Sequence, residues 1–125
     1  MKKKYQRLPD AELDIMLVLW NGRAEMTRSD IEGVIEKKLA PTTILSLLSR
    51  LEKRGVVKVK KDGQRNLYSP VMSQEEYQMQ ESSSVLEKLY NNSLKDFVAA
   101  LYNGKSIKQA EIAELEKFIK DIEGE

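Results

Sequence analysis

PTTILSLLSRLEKRG, residues 41–55, decides how the rest of the chain is read. Ile44, Leu47, Leu48 and Leu51 fall at the i, i+3, i+4, i+7 spacing of one buried helical stripe. At about 100° per residue the opposite face collects Thr42, Ser46, Ser49 and Lys53, with Leu45 on one flank and Thr43 and Arg50 on the other. That face is short, hydroxylic and finally basic. A helix facing only solvent usually carries Glu, Lys and Gln there, whereas a helix entering a DNA major groove needs small side chains for close approach and donors for base edges and phosphates. Pro41 suits a first helical turn and Gly55 a left-handed C-terminal stop. Most soluble helices are amphipathic, so the stretch alone also fits an ordinary core helix, and its context has to decide.

Upstream, Pro9 and Asp10 open a helix whose apolar residues Leu13, Met16, Val18, Leu19 and Trp20 end at Asn21-Gly22. Trp20 continues the buried stripe and reads as a core anchor. Residues 24–26 make a stub of strand. Thr27-Arg28-Ser29-Asp30 is a capping-box opening with Asp in place of the usual Glu, and the helix behind it reaches about Lys38 on Ile31, Val34 and Ile35. Thr27 and Arg28 therefore sit at a helix N-terminus, where backbone N–H groups attract phosphate oxygens. Leu39-Ala40 leads by a tight connection into the helix from Pro41: helix, turn, helix. Ahead of all this, MKKKYQRLP is a basic arm.

After Gly55 the period changes from 3.6 to 2. Val57 and Val59 alternate with Lys58 and Lys60, Lys61-Asp62-Gly63-Gln64 supplies a turn, and a second strand returns from Arg65 to Tyr68 before Pro70. A charged hairpin alone is as well explained as a protected sheet edge. Directly after a helix-turn-helix it completes a winged helix-turn-helix over residues 1–72, with Lys60, Lys61 and Arg65 placed beside a duplex backbone. Residues 73–125 form a helical region. Ser73-Gln74-Glu75-Glu76 is a capping box for a helix to about Tyr90, Asn91-Asn92-Ser93 breaks it, and two further helices follow at about 94–102 and 106–122. Their apolar residues, Leu94, Phe97, Val98 and Leu101, then Ile112, Leu115, Phe118, Ile119 and Ile122, have no globular core of their own to enter, and the economical partner is a second copy.

Composition narrows the chemistry. The 125 residues contain no Cys and no His, which removes disulfides, thiolate or imidazole metal ligands and the commonest general base. No catalytic constellation, metal site or cofactor is expected; the protein is not read as an enzyme. The longest apolar run, residues 15–20, is far below the roughly 20 residues of a membrane span, so no membrane insertion is expected and the expected compartment is the cytoplasm. The net charge of +1 hides a division: residues 1–72 hold fifteen Lys and Arg against nine Asp and Glu, and residues 73–125 hold six against eleven. A basic first part and an acidic second part place a polyanion partner on the first alone.

LPDAELDIMLVLW, APTTILSLLSRLEKRGVV and AEIAELEKFIKDI, in that order and spacing, resemble the opening helix, the recognition helix with first wing strand, and the final dimerisation helix of the BlaI/MecI family of penicillinase and methicillin-resistance repressors, which also includes the CopY copper-responsive repressors. The resemblance covers nearly the whole length. It implies a dimeric winged-helix repressor that binds a palindromic operator in double-stranded DNA and blocks transcription of antibiotic-resistance or related genes. Where family members carry basic residues in the recognition helix this chain has Thr42 and Leu45, so their operator sequence does not transfer. The family is inactivated when a membrane sensor's protease signal leads to cutting of an Asn-Phe bond in the first dimerisation helix; the matching bond here is Ala100–Leu101. The copper branch uses a C-terminal cysteine cluster, and a chain without cysteine does not belong to it.

The leading expectation is thus a repressor whose Thr42, Thr43, Leu45, Ser46 and Ser49 approach base edges while Arg28, Arg50, Lys53, Lys60, Lys61 and Arg65 hold phosphates. The rivals are a winged domain used as a protein-docking module and a ligand-sensing regulator.

Overall fold

A computed structural model of the protein describes residues 7–124; most of the expected basic arm lies outside the described residues. Six helices and one hairpin follow in the order α1 (Asp10–Asn21), α2 (Arg28–Val34), α3 (Pro41–Arg54), β1 (Val57–Asp62), β2 (Arg65–Pro70), α4 (Gln74–Tyr90), α5 (Leu94–Asn103) and α6 (Gln109–Glu123). The chain divides into two compact units between Glu81 and Ser82.

The first unit is a winged helix. Its core is built from Ile15, Met16 and Leu19 of α1, Ile31 of α2, Ile44, Leu47, Leu48 and Leu51 of α3, and Val57 and Tyr68 of the hairpin. All four stripe residues of α3 are buried, and three of them expose no surface at all. Gly55 closes α3 at φ 81°, its N–H donating to Glu52 and Leu51 carbonyls, a left-handed stop that a residue with a Cβ rarely adopts. β1 and β2 pair antiparallel from Val57↔Pro70 to Asp62↔Arg65, leaving Gly63-Gln64 as the turn, and the stub strand is a single bridge, Met26↔Tyr68.

One reading of the sequence needs correction here. The second helix ends at Val34 rather than near Lys38. Gly33 and two β-branched residues weaken its last turn, Ile35 turns to ψ 133°, and Val34 points outward at 62% exposure. The connection to α3 is therefore six residues, 35–40, rather than two. Gly22 ends α1 as expected, in an extended conformation. Glycine is needed there because a Cβ would sit 2.5 Å from Met26 Sδ and 2.9 Å from the Val18 carbonyl oxygen. The first compact unit takes in the start of α4. Tyr77 of α4 is 3% exposed, its hydroxyl accepts the Leu8 N–H at 3.1 Å, and its ring lies 5.6 Å from that of Trp20, whose Nε1–H donates to the Met72 carbonyl at 2.8 Å.

α2 begins with the expected capping box. The Asp30 N–H donates to Thr27 Oγ1 at 3.1 Å, and the Thr27 N–H donates to Asp30 Oδ2 at 3.0 Å. That backbone donation holds the Asp30 carboxyl below its ordinary value, helped by the Thr27 hydroxyl and by Arg23 at 2.8 Å. A depressed carboxyl supports the fold above the ordinary carboxylate range and loses that support as the pH falls through the lowered value. Replacing Thr27 by Ala is expected to cost about 1 kcal/mol at neutral pH. The midpoint of urea unfolding measures it, and the destabilisation of an Asp30→Ala variant should shrink in strongly acidic solution; a pH-independent difference would show that the carboxylate is not what caps α2.

The second unit consists of the rest of α4 with α5 and α6. Asn91 and Asn92, at φ 48° and 64°, end α4 in the left-handed region that Asn tolerates better than other residues with a Cβ. Ser93 caps α5 through its Oγ, and the Glu111 carboxylate accepts the Lys108 N–H at the start of α6, three residues later than the pattern suggested. Among its described residues no side chain is buried.

Candidate nucleic-acid interface

Burying one stripe of α3 fixes what its other face presents. Thr42, Thr43, Leu45, Ser46, Ser49, Arg50 and Lys53 are all exposed, with Leu45, 43% exposed, as the apolar member. Ala40 precedes Pro41 without a side-chain cap, so the Thr42 and Thr43 N–H groups have no capping side chain at the positive end of the helix dipole. The result is a rigid rod with polar hydrogens at its start, hydroxyls along its middle and cations at its end.

The end of that rod is tied to α1 by a pair that the sequence reading did not single out. Glu12 in the first turn of α1 is 2% exposed, and its carboxylate accepts Arg54 Nε–H at 2.6 Å and Nη2–H at 3.4 Å. Each charge sits at the helix end that favours it. The signal was there: Glu12 lies on the same helical stripe as Ile15, Met16 and Leu19, a carboxylate at a core position.

The hairpin cations do not form one cluster. Cross-strand partners share a face, so Lys58, Lys60, Asp62 and Arg65 lie on one side of the ribbon, while Lys61 lies on the other with Val57, Val59 and Tyr68, the side that enters the core. At the tip Arg65 pairs with Asp62 at 3.0 Å. Arg28 is half-buried and held by Glu32 and by Ser29 Oγ. Arg50, Lys53, Lys58, Lys60 and Lys61 have no ion pair among the described residues. Of the six cations expected at phosphates, four are thus unpaired and two, Arg28 and Arg65, are already engaged. Lys58 is a further unpaired cation of the wing that the expected set left out.

In the second unit, Phe97, Val98, Leu101, Ile112 and Leu115 are half-buried, whereas Leu94, Phe118, Ile119 and Ile122 are exposed. Ala100–Leu101 lies inside α5, with the Ala100 carbonyl accepting the Gly104 N–H. No helix among the described residues is long and apolar enough to cross a membrane.

The penicillinase repressor of Bacillus licheniformis is 29% identical to this chain over 120 residues, covering 95% of the chain and 94% of the relative. The solution structure of the DNA-binding domain of the repressor BlaI, 28% identical, matches 61% of the chain and 94% of that domain with a TM-score of 0.52. The Bacillus licheniformis BlaI monomeric form in complex with the blaP half-operator matches the same shares at 28% identity with a TM-score of 0.50. A family model described as penicillinase repressor matches residues 8–121, and a match that runs through the winged unit and on through α4, α5 and most of α6 means that the chain belongs to the penicillinase repressor family.

Proposed function

We propose that this protein is a dimeric, sequence-specific transcriptional repressor acting in the cytoplasm on a palindromic operator. The observation that carries the proposal is the exposed face of α3, short, hydroxylic and basic over a fully buried stripe. Thr42, Thr43, Leu45, Ser46 and Ser49 read base edges, Leu45 by contact with a thymine methyl, since it has no donor. Arg50 and Lys53 take phosphates at the end of the helix, and Lys60, Lys61 and Arg65 take them from the wing. Arg28 joins them by exchanging Glu32 for a phosphate at the start of α2. The exposed apolar residues of α5 and α6 close on a second copy, which pairs two reading helices at a fixed spacing. The relative solved on a half-operator supports the same economy, one winged unit to each half of a two-fold site. Relief of repression follows a membrane sensor's protease signal and cutting at Ala100–Leu101, which requires α5 to open locally.

Selection of sheared genomic DNA by the purified protein, repeated across a salt series, tests this reading. Fragments sharing an inverted repeat are expected. Uniform, weak, salt-labile capture would leave only a generic polyanion surface. On the selected site, the double variant Lys60→Ala with Lys61→Ala is expected to weaken binding to all sequences and to flatten the log–log salt slope by up to about 2, near 0.9 per lost phosphate contact. Because the two lysines lie on opposite faces of the ribbon, the single variants should divide that loss unequally. An unchanged slope in the double variant removes the wing from the interface.

A further inference from the structure

Ser69 is a buried polar residue on the outer face of the hairpin ladder. It is 8% exposed, and its side chain has no hydrogen-bond partner among the described residues. Leaving such a group unsatisfied is costly, and native structures seldom do so without reason. Ser69 lines an open groove of about 760 Å³ in the first unit, between the end of α1, the outer face of β1 and the start of α4. Opposite it in the ladder is Lys58, and Lys60 stands on the same face one pair further on. Both ammonium groups are unpaired among the described residues, and both line the groove. The rest of the wall is mixed, with an apolar stretch formed by Trp20, Pro70, Val71 and Met72 beside Ser69. The indole N–H of Trp20 is already spent on the Met72 carbonyl, so the indole offers the groove only its apolar ring surface.

We propose that this groove binds a small organic carboxylate: one anionic head on the Ser69 hydroxyl and the Lys58 and Lys60 ammoniums, and an apolar body against Trp20 and Val71. With Arg23 paired, two ammoniums stand against two carboxylates in the wall, so the groove carries no surplus positive charge for a second anionic group. Arg23, also in the wall, is committed to Asp30, and Glu25 and Glu76 border the groove and repel a second anion. A neutral apolar compound leaves Ser69 unsatisfied and both lysines unpaired, which is the basis of selectivity.

The chain's one tryptophan is in this wall, so its emission responds to a ligand seated in the groove. Benzoate and octanoate serve as probes, with benzyl alcohol as the neutral control, on the full chain without DNA, which keeps this test separate from that of the operator reading. A saturable change in Trp20 emission is expected for the carboxylates, with Kd below about 1 mM, and none for the alcohol. Ser69→Ala is expected to weaken probe binding about fivefold while leaving thermal stability equal or higher, because it removes an unsatisfied group. Lys58→Gln is expected to weaken it about tenfold through loss of a charge-assisted bond. Absence of a saturable response, an equal response to benzyl alcohol, or affinities unmoved by both substitutions would overturn the proposal.

Discussion

Replacing Arg54 with Met is expected to destabilise the winged unit by about 3 kcal/mol, the low end of what breaking a buried ion pair costs. The partner left behind sets the size of the effect. Glu12 has a side chain 2% exposed, on the buried face of α1 with Ile15, Met16 and Leu19, so its carboxylate has little access to solvent once the guanidinium is gone. Arg54, at 31% exposure, keeps some access to solvent. Removing Glu12 instead, by Glu12→Ala, should therefore cost less, about 1–2 kcal/mol. The double variant Glu12→Leu with Arg54→Met should recover most of the loss, since an apolar pair of similar volume needs no desolvation of charge. Urea unfolding at neutral pH measures all three. Equal costs for the two single variants would mean that the carboxylate is hydrated after all and that the pair does not hold α1 to the last turn of α3. The consequence for function follows from position: the pair fixes the end of the helix whose other face is proposed to read bases, so Arg54→Met should also loosen DNA binding without touching a base-reading residue.

This pair marks a boundary of what the chain's one-dimensional pattern conveys. The stripe of α3 was legible because four apolar residues at helical spacing, Pro41 in front and Gly55 behind, agree at every level, and all three features recur in the structure. Its exposed face followed by elimination, which is why every residue expected to approach base edges is in fact accessible. The hairpin was legible from its change of period, but not the division of its cations between two faces. It follows from the strand's period of two once Lys61 is paired in the ladder rather than counted in the turn, the turn being Gly63-Gln64 rather than four residues. The end of α2 was missed because Val34 and Ile35 carry on the apolar pattern while their β-branched side chains and Gly33 weaken the helix beneath it. Tyr77 stands in a mostly polar helical stretch, and no periodicity tells that its hydroxyl would meet the Leu8 N–H, 69 residues away. Ser69 is hidden for the same reason: a serine in a strand next to proline carries no local sign of being buried.

Placing a carboxylate on the exposed face of α3 is the substitution expected to affect DNA binding most. Ser46 lies mid-helix between Thr42, Thr43, Ser49 and Arg50 and is exposed. Glu is a good helix former, so Ser46→Glu should keep the fold's stability within about 0.5 kcal/mol. Against DNA it acts twice. It brings a negative charge toward phosphates and base acceptors, and, standing four residues before Arg50, it takes that guanidinium into an i, i+4 pair in the favourable orientation. The expected loss of affinity is at least about a hundredfold, near 2.7 kcal/mol, on the fragment that genomic selection yields. Ser46→Ala removes one hydroxyl and should cost no more than about tenfold, while altering which base is preferred at the position it faces. Gln80→Glu on exposed α4 adds the same charge away from the reading face and is the control; its affinity should stay near that of the parent protein. Fluorescence anisotropy with the selected fragment, alongside thermal unfolding by circular dichroism, separates loss of binding from loss of fold. A Ser46→Glu protein that folds and still binds its site as the parent does would take α3 out of the groove, and with it the reason for a helix whose buried stripe is entirely apolar and whose other face is built of hydroxyls and cations.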